Sequence, residues 1–322
     1  MGCVLFDDYG EPYYSNENIC EASNLSTHEV RVEMQNCSFN PVDLKLGKGL
    51  IGSPKTNVMG TDIAGIVIEV GSNVTKFNVG DHVFGTALGW KEMGTYSNFV
   101  ILPEGALEIL PGNVTFEQAA GSALVGTTSI LALEKIFQIN EGDTVLVEGG
   151  SGGIGHLAIQ IANLHNARCL CTCSGIRAEK LVTGYGGIPF DYSNSHRYSQ
   201  MSDFLGDIEV DMLLENSFGY KLEQKIDLMS DRACMVCIGQ KSEFDLSPST
   251  TLKMCLKNIE LKFLSIMASR GMRSQLLIRL SDLLSKSDVG VNIHAIFPIN
   301  EIDKCLELYN NEQVLGKIVL SA

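Results

Sequence analysis

The segment 143–165, DTVLVEGGSGGIGHLAIQIANLH, places a glycine-rich loop between an apolar run and a helix-like pattern. Its glycines have the spacing G-x-G-x-x-G, and a second apolar run follows within about thirty residues. Such glycines allow a tight turn, bring backbone N–H groups close to a pyrophosphate and let helix and strand pack closely. The segment predicts a dinucleotide-binding unit, and a turn that serves only packing is the alternative. The residues of the predicted loop are Gly150, Ser151, Gly152, Gly153, Ile154 and Gly155.

The second apolar run, RCLCTC, ends without the acidic residue that is typical of NAD sites. An Asp or Glu at that point accepts hydrogen bonds from the 2′-hydroxyl of NAD and repels the 2′-phosphate of NADP. Ser174, Arg177 and Lys180 follow the run instead, and a hydroxyl with two cations suits a phosphate dianion. The sequence therefore predicts NADP(H) as the cofactor. The alternative is that Arg177 and Lys180 are solvated charges at the start of a helix.

The pattern of the chain changes after about a third of its length. The first part contains short β-like runs, EVRVEMQNC, DIAGIVIEVG, DHVFGTA and YSNFVIL, separated by turn residues. A helix is predicted in TFEQAAGSALVGTTSILALEKIF, with Thr115 and Gln118 as a capping box. Strand-like and helix-like segments then alternate, which predicts a doubly wound parallel sheet. We predict an α/β protein with a β-rich domain at 1–118, completed by the tail 287–322, and a dinucleotide-binding domain at 119–286.

Composition narrows the possible partners. The chain has 322 residues, of which 45% are hydrophobic, enough for roughly two domains with buried cores. A formal net charge of −14 disfavours binding to nucleic acid or anionic lipid. The apolar runs are shorter than the roughly 18 residues of a membrane span, and no secretory signal is recognisable. A cytoplasmic protein without membrane or nucleic-acid partners is expected.

The ten cysteines are expected to be reduced and mostly buried. Cys169, Cys171 and Cys173 alternate along one strand-like run and therefore share a face. A metal site is conceivable there, but small apolar residues on a buried strand are the favoured interpretation. The histidines lack metal-ligand spacing, and His156 and His165, which flank a predicted helix, are expected to be surface or capping groups.

Several motifs in order along the chain carry a resemblance to a known family. They are VLFDDYGEP, NPVDLKLGKG, GTDIAGIVIEVGSNVTKFNVGDHVFG, GTYSNFV, the glycine loop with AIQIA, and GKIVL. Together they resemble the medium-chain dehydrogenase/reductase superfamily, and within it the zinc-free quinone oxidoreductase branch with zeta-crystallin-like proteins. The resemblance implies a GroES-like catalytic domain, a Rossmann cofactor domain, an active-site cleft at their junction, and frequent homodimers.

The resemblance also implies further residues of the cofactor site. Beyond the glycine loop, Ser174, Arg177 and Lys180, it assigns cofactor contacts to Thr128, Tyr192, Asn216, Gly239 and Lys317. It assigns Asn40 to the active site, where the amide could donate a hydrogen bond to the substrate carbonyl or bind near the nicotinamide ribose. Asn40 precedes a proline, so a role limited to the turn is the alternative. The aromatic residues Trp90 and Tyr96 are candidates for the wall of the cleft.

The positions that bind catalytic zinc in alcohol dehydrogenases read differently here. Asn40, Thr61 and Asp62 stand at those positions, and Cys37 alone cannot build a tetrahedral site. Without a metal, hydride transfer is easiest to acceptors that stabilise the resulting anion themselves. The sequence therefore predicts an NADPH-dependent, zinc-independent reductase of a quinone or an α,β-unsaturated carbonyl compound.

One departure from the family pattern leaves several alternatives open. Many relatives carry a tyrosine that can donate a proton shortly after the NPVD segment, where this chain has Leu50 and Ile51. The proton could then come from water, a quinone could need no positioned acid, or catalysis could be weak. The alternatives to a quinone or enone reductase are a 2-enoyl-thioester reductase and a non-catalytic NADPH-binding scaffold or redox-sensing protein.

Overall fold

The computed structural model describes residues 2–17, 24–52, 56–87, 92, 94–239 and 246–322. The strands are β1 Cys3–Phe6, β2 Pro12–Ser15, β3 Glu29–Ser38, β4 Asp62–Val70, β5 His82–Thr86, β6 Phe99–Pro103, β7 Leu107–Ile109, β8 Thr144–Val147, β9 Arg168–Cys173, β10 Ile188–Asp191, β11 Val210–Glu215, β12 Met229–Cys237, β13 Glu260–Phe263, β14 Ile293–Pro298 and β15 Lys317–Ser321. The α-helices are α1 Pro41–Gly47, α2 Phe116–Ile130, α3 Gly155–Leu164, α4 Ile176–Gly184, α5 Arg197–Leu205, α6 Leu222–Leu228, α7 Pro248–Leu256, α8 Arg273–Ser285 and α9 Ile302–Asn311.

The chain forms two compact units, and the first contains Met1–Thr127 and Met267–Ala322. Its main sheet has the strand order β14-β15-β3-β4-β5-β7, and β6 also pairs with β3. In β3 the apolar residues Val30, Val32 and Met34 are buried and alternate with partly exposed polar residues. This period of two is the pattern of a strand with one face on the core. The predicted docking of the tail on the β-rich module is confirmed, because β15 pairs antiparallel with β3.

The second unit contains Thr128–Ile266 and is built on a parallel sheet. Its strand order is β10-β9-β8-β11-β12-β13, with every neighbouring pair parallel. This is the order 3-2-1-4-5-6 of the dinucleotide-binding fold. The predicted α/β fold class, with one Rossmann domain and one GroES-like β-rich domain, is therefore confirmed.

The bounds of the units differ from those expected. The second unit begins at Thr128 and ends at Ile266, whereas 119–286 was predicted for the cofactor domain. Helix α8, which shows a helical pattern like the helices of the parallel sheet, instead packs in the first unit. Ser281 donates to the carbonyl of Ile109 in β7. Local periodicity does not reveal which sheet a helix covers, so this boundary was misplaced.

The predicted helix after residue 114 is present. Thr115 and Gln118 exchange backbone-to-side-chain hydrogen bonds of 3.3 Å, the expected capping box. The helix continues from α2 into a π-helical segment at Leu131–Phe137. The stretch Phe116–Phe137 is long and apolar enough to cross a membrane by length and composition, and 78% of its most apolar 18-residue window is buried inside the protein.

Candidate functional site

The glycine loop joins the end of β8 to the start of α3 and is held against β9. The N–H of Gly149 donates to the Thr172 hydroxyl at 2.9 Å, and the N–H of Gly150 donates to the Thr172 carbonyl at 2.8 Å. A Cβ on Gly155 would lie 2.2 Å from the carbonyl oxygen of Gly149, and a Cβ on Gly150 would lie 2.6 Å from Cβ of Cys171. Both positions therefore admit only glycine without movement of the loop or strand.

The other side of this loop is suited to an anion. Within the described residues, the backbone N–H groups of Ser151, Gly153 and Ile154 have no hydrogen-bond partner. They lie directly before α3, where the helix dipole favours negative charge. A Cβ on Gly152 would meet only the Gly149 carbonyl, at 3.3 Å, so this side of the loop is otherwise open. The donor set fits the pyrophosphate of a dinucleotide.

A buried carboxylate supports the loop from below. Glu148, the residue after β8, accepts hydrogen bonds from Thr172 at 3.0 Å and from the hydroxyl of Tyr198 at 2.8 Å. Its backbone carbonyl accepts from the side-chain amide of Asn216 at 2.5 Å. Burial and the charge of Glu148 raise the pKa of Tyr198, so the phenol stays protonated and donates. Glu148 thus joins the ends of β8, β9 and β11 to α5.

A buried lysine compensates the charge of this region. The ammonium of Lys225, in α6, lies 2.5 Å from a carboxylate oxygen of Glu215 and 3.7 Å from one of Glu148. The side chains of Lys225 and Glu215 are fully buried. Two carboxylates therefore share one cation where solvent cannot screen them. The sequence analysis overlooked this cluster; its only signal was an acidic residue at the end of each of two apolar runs.

The predicted partners of the 2′-phosphate follow the ends of β9 and β10. Ser174 comes directly after β9, while Arg177 and Lys180 are exposed in α4. Tyr192 comes directly after β10, and its N–H donates to the carbonyl of Cys173 at 2.8 Å. The structure therefore brings the residue following each of these two strands to the same sheet edge.

Three further predicted cofactor residues also belong to the second unit. Asn216 follows β11 and, as described, holds the carbonyl of Glu148. Gly239 lies just beyond β12, where a Cβ would be 2.8 Å from the carbonyl oxygen of Asn216. Thr128 is buried in α2. Asn216 and Gly239 thus lie at the carboxyl ends of parallel strands, where this fold places ligands.

The first unit contains a separate cluster of buried polar side chains, which we call the carboxyl cluster. Its members are Asn40, Asp43, Thr61, Asp62, Tyr96 and Lys317. All of them are at most 3% exposed. They come from α1, the start of β4, the segment before β6 and the start of β15. Two carboxylates here face a single ammonium group within the described residues.

Asn40 is fully engaged in the carboxyl cluster. Its amide nitrogen is within hydrogen-bond distance of the Ser38 carbonyl, the Thr61 hydroxyl and the Asp62 carboxylate, at 2.7–3.3 Å. Its amide oxygen accepts from Lys317 at 2.5 Å. Donation to a substrate carbonyl, as the resemblance implies, would require one of these bonds to break. The geometry instead favours a structural role for Asn40.

Lys317 is likewise committed to the first unit. Its ammonium donates to the carbonyl of Phe39 at 2.6 Å and to Asn40, and it lies 3.8 Å from Asp62. Burial lowers the pKa of Lys317, while the nearby carboxylates oppose that change. The structure therefore shows Lys317 as the counter-ion of buried carboxylates.

Asp43 is the most perturbed acid of the cluster. It accepts hydrogen bonds from the N–H of Asn40 at 3.0 Å and from the hydroxyls of Thr61 and Tyr96, both at 2.9 Å. Burial, and then the charge of Asp62, raises the pKa of Asp43 to about 7. Burial also raises the pKa of Asp62, although Lys317 opposes the shift. One of the two carboxyl groups can therefore hold a proton near neutral pH.

The structure describes three of the four other histidine and aromatic residues that the sequence singles out. His156 is fully buried in α3, with Nδ1 2.8 Å from the Gly152 carbonyl, so its prediction as a surface group was wrong. His165 is the residue at the C-terminal end of α3, as expected of a capping group. Tyr96 is buried in the core rather than on a surface, and Trp90 lies outside the described residues.

The buried thiols of β9 and the residues at the positions matching the zinc ligands are candidate metal ligands within the described residues. Cys169, Cys171 and Cys173 are buried on β9, and the first two sulfur atoms are 3.7 Å apart. The described parts of the chain contain no group of three or more His, Cys, Asp or Glu residues placed to hold a metal ion. At the positions matching the zinc ligands, Asn40, Thr61 and Asp62 supply an amide, a hydroxyl and a carboxylate that already bond their neighbours. An amide and a hydroxyl do not replace the Cys and His ligands of a zinc site.

Two protein-family models match the chain. The model described as alcohol dehydrogenase GroES-like domain matches residues 26–112, and the one described as zinc-binding dehydrogenase matches residues 191–320. With the two-unit fold, these matches define a class: the chain belongs to the medium-chain dehydrogenase/reductase superfamily. It is therefore an oxidoreductase of this type.

Individual relatives show which members of the superfamily this chain is similar to. Quinone oxidoreductase of Homo sapiens is 26% identical over 230 residues, which cover 70% of this chain and 68% of that protein. A highly reducing polyketide synthase of Cordyceps militaris is 25% identical over 93% of this chain, which spans only 12% of that protein's length. Escherichia coli quinone oxidoreductase, solved in complex with NADPH, superposes with a TM-score of 0.88 at 21% identity, covering 100% of both chains. Within the superfamily, the chain is similar to quinone oxidoreductases in sequence and in fold.

Proposed function

We propose that the protein transfers hydride from NADPH to a quinone or an α,β-unsaturated carbonyl compound, without zinc. The observation that carries the proposal is the loop at β8–α3, whose unpartnered N–H groups fit a pyrophosphate. The homologous quinone oxidoreductases and the NADPH complex of the E. coli enzyme support the same assignment. The proposed cofactor residues are Thr128, Gly150, Ser151, Gly152, Gly153, Ile154, Gly155, Ser174, Arg177, Lys180, Tyr192, Asn216 and Gly239.

The chain's own groups would bind and orient the cofactor. The N–H groups of Ser151, Gly153 and Ile154 would hold the pyrophosphate, while Arg177 and Lys180 would neutralise the 2′-phosphate. The bound nucleotide supplies the hydride. Since the positions matching the zinc ligands of alcohol dehydrogenases hold Asn40, Thr61 and Asp62, acceptors that stabilise their own anion fit this chain best, as quinones and enones do. Leu50 and Ile51 supply no acid, so we propose that the proton comes from water.

A direct assay tests the reaction. We expect purified protein to oxidise NADPH with 9,10-phenanthrenequinone or 1,4-benzoquinone, followed by the loss of nicotinamide absorbance. An alkenal and a crotonyl thioester would be offered in parallel. Tight binding of NADPH with no oxidation above background by any acceptor would instead support a non-catalytic scaffold.

A second candidate, reduction of a 2-enoyl thioester, has one specific observation in its favour. The similarity to a highly reducing polyketide synthase covers 93% of this chain, about as much as the 91% covered by the alignment with quinone oxidoreductase of Sus scrofa. The crotonyl thioester in the assay distinguishes the two candidates. A kcat/KM for the thioester above that for both quinones would make it the preferred function.

The predicted 2′-phosphate contact can be tested by charge reversal. Arg177→Glu is expected to raise the KM for NADPH by about tenfold or more and to change the KM for NADH little, because only NADPH carries the dianion. Steady-state kinetics with both nucleotides measure the effect. Lys135→Glu, at an exposed lysine of the same unit, is the control for the change in net charge. Equal effects of Arg177→Glu on both nucleotides would contradict the assignment.

The resemblance also leads us to propose a homodimer in the cytoplasm. Strand β13 lies at the end of the parallel sheet, and an edge strand can pair with another copy of the chain. Light scattering on the purified protein measures the oligomeric state directly, and a monomeric mass at micromolar concentration would overturn the proposal.

A further inference from the structure

The edge of the parallel sheet that holds the proposed 2′-phosphate site also carries an acid. Strand β10 pairs with β9 so that Asp191 is level with Cys173, the residue before Ser174. The hydrogen bond from the Tyr192 N–H to the Cys173 carbonyl continues the pairing beyond the strand ends. Asp191 and Ser174 therefore leave the sheet side by side.

The side chains of these two residues are in contact. Asp191 Oδ1 accepts a hydrogen bond from the N–H of Ser193 at 2.8 Å. The carboxylate also accepts from the side chains of Ser193 and Ser174, and the bonds from Ser193 and Ser174 hold the pKa of Asp191 below its ordinary value. The carboxylate is therefore ionised at neutral pH. The hydroxyl predicted to bind the 2′-phosphate is already bound to a negative charge.

The proposed 2′-phosphate site therefore has carboxylates as well as cations around it. Arg177 and Lys180 are exposed, and no ion pair joins either of them to another described residue. Glu179 lies between them on α4. Asp191 is level with Cys173 at the end of β9, and burial, followed by the charges of Glu179 and Asp191, raises the pKa of the Cys173 thiol to about 11.

We propose that Asp191 is a specificity-determining residue that weakens the discrimination of this site in favour of NADPH over NADH. This inference rests on the proposed function, since it concerns the ribose end of the same nucleotide site. The acid of NAD sites ordinarily follows the second strand of the fold, which is β9 here. Asp191 lies instead at the end of the neighbouring strand, β10.

The Asp191 carboxylate affects the binding of both nucleotides. The carboxylate repels a 2′-phosphate dianion and competes with it for the hydrogen bond from the Ser174 hydroxyl. The same carboxylate can accept a hydrogen bond from the 2′-hydroxyl of NADH, as an acid does in NAD sites. Arg177 and Lys180 favour NADPH, and Asp191 opposes them. The chain is therefore expected to use both nucleotides.

The test compares ligands that differ only by the 2′-phosphate. Dissociation constants for NADPH and NADH, and for 2′,5′-ADP and 5′-AMP, would be measured by calorimetry on the full chain. In Asp191→Asn, the preference for each phosphorylated ligand is expected to rise by about tenfold, because a unit charge next to a dianion is removed. Asp191→Ser keeps an acceptor for the Ser193 N–H and serves if the first variant does not fold. Asp207→Asn, an exposed acid of the same unit, is the matched charge control.

The binding measurements distinguish a failure of the proposed cofactor site from a failure of the proposed role of Asp191. Failure of the wild-type chain to bind either reduced nucleotide would remove the cofactor site itself. Normal binding with the same NADPH preference in Asp191→Asn and in wild type would overturn only the role of Asp191. A similar rise in the preference for NADPH in Asp207→Asn would show a general effect of net charge and would also overturn the role of Asp191.

Discussion

Gly155→Ala is expected to weaken cofactor binding strongly and to lower the stability of the second unit. The new Cβ would lie 2.2 Å from the Gly149 carbonyl oxygen and 2.7 Å from Cα of Gly150. Both neighbours are backbone atoms, so the loop itself must move. Overpacking of this kind costs about 1–3 kcal/mol. Displaced N–H donors would lose one or two charge-assisted hydrogen bonds, which raises the Kd for NADPH by about a hundredfold.

Two other glycines provide matched controls. Gly152→Ala adds a Cβ that meets only one atom, at 3.3 Å, so its thermal stability should remain near wild type while NADPH binding weakens. Gly112→Ala meets no atom within 4 Å and should change neither property. Thermal unfolding and calorimetric titration with NADPH measure both effects. Wild-type affinity in Gly155→Ala would show that this loop does not bind the nucleotide.

The nucleotide unit was predictable because its signals are local. The strand, the glycine loop, the helix and the next strand lie together within 143–173, so each residue's role follows from its neighbours in sequence. Strand β10 carried no such signal, since IPFD is neither an apolar run nor an alternating pattern and all four residues are only partly buried. The acid that ends this strand was therefore overlooked.

The buried polar clusters were not predictable from the sequence. Glu148 meets Tyr198 across 50 positions and Asp43 meets Tyr96 across 53. The fully buried Lys225 looks like an ordinary surface lysine in the sequence. The same difficulty made Asn40 appear free to bind a substrate, because the motif NPVD identifies the residue but not its partners. Only the tertiary structure shows that these polar groups satisfy one another.

The carboxyl cluster should make the stability of the protein fall as the pH rises towards neutrality. The folded-state pKa of Asp43 is about 7, against an ordinary value of 3.8. A group whose pKa is raised in the folded state contributes stability that is complete below its unfolded pKa and is lost as pH rises through the folded value. The difference of roughly three pKa units corresponds to about 4 kcal/mol, lost between about pH 4 and pH 7. Asp62, whose pKa is also raised, acts in the same direction.

Asp43→Asn is expected to flatten this dependence, whatever its effect on absolute stability, because the titrating group is gone. Urea unfolding of wild type and variant, followed by circular dichroism at a series of pH values, gives the two slopes. Asp8→Asn, an exposed acid of the same unit, should keep the wild-type slope. Infrared spectroscopy at mildly acidic pH should show a protonated carboxyl band in wild type that Asp43→Asn weakens. Equal slopes in all three proteins would mean that Asp43 is ionised throughout, with Lys317 neutralising both carboxylates.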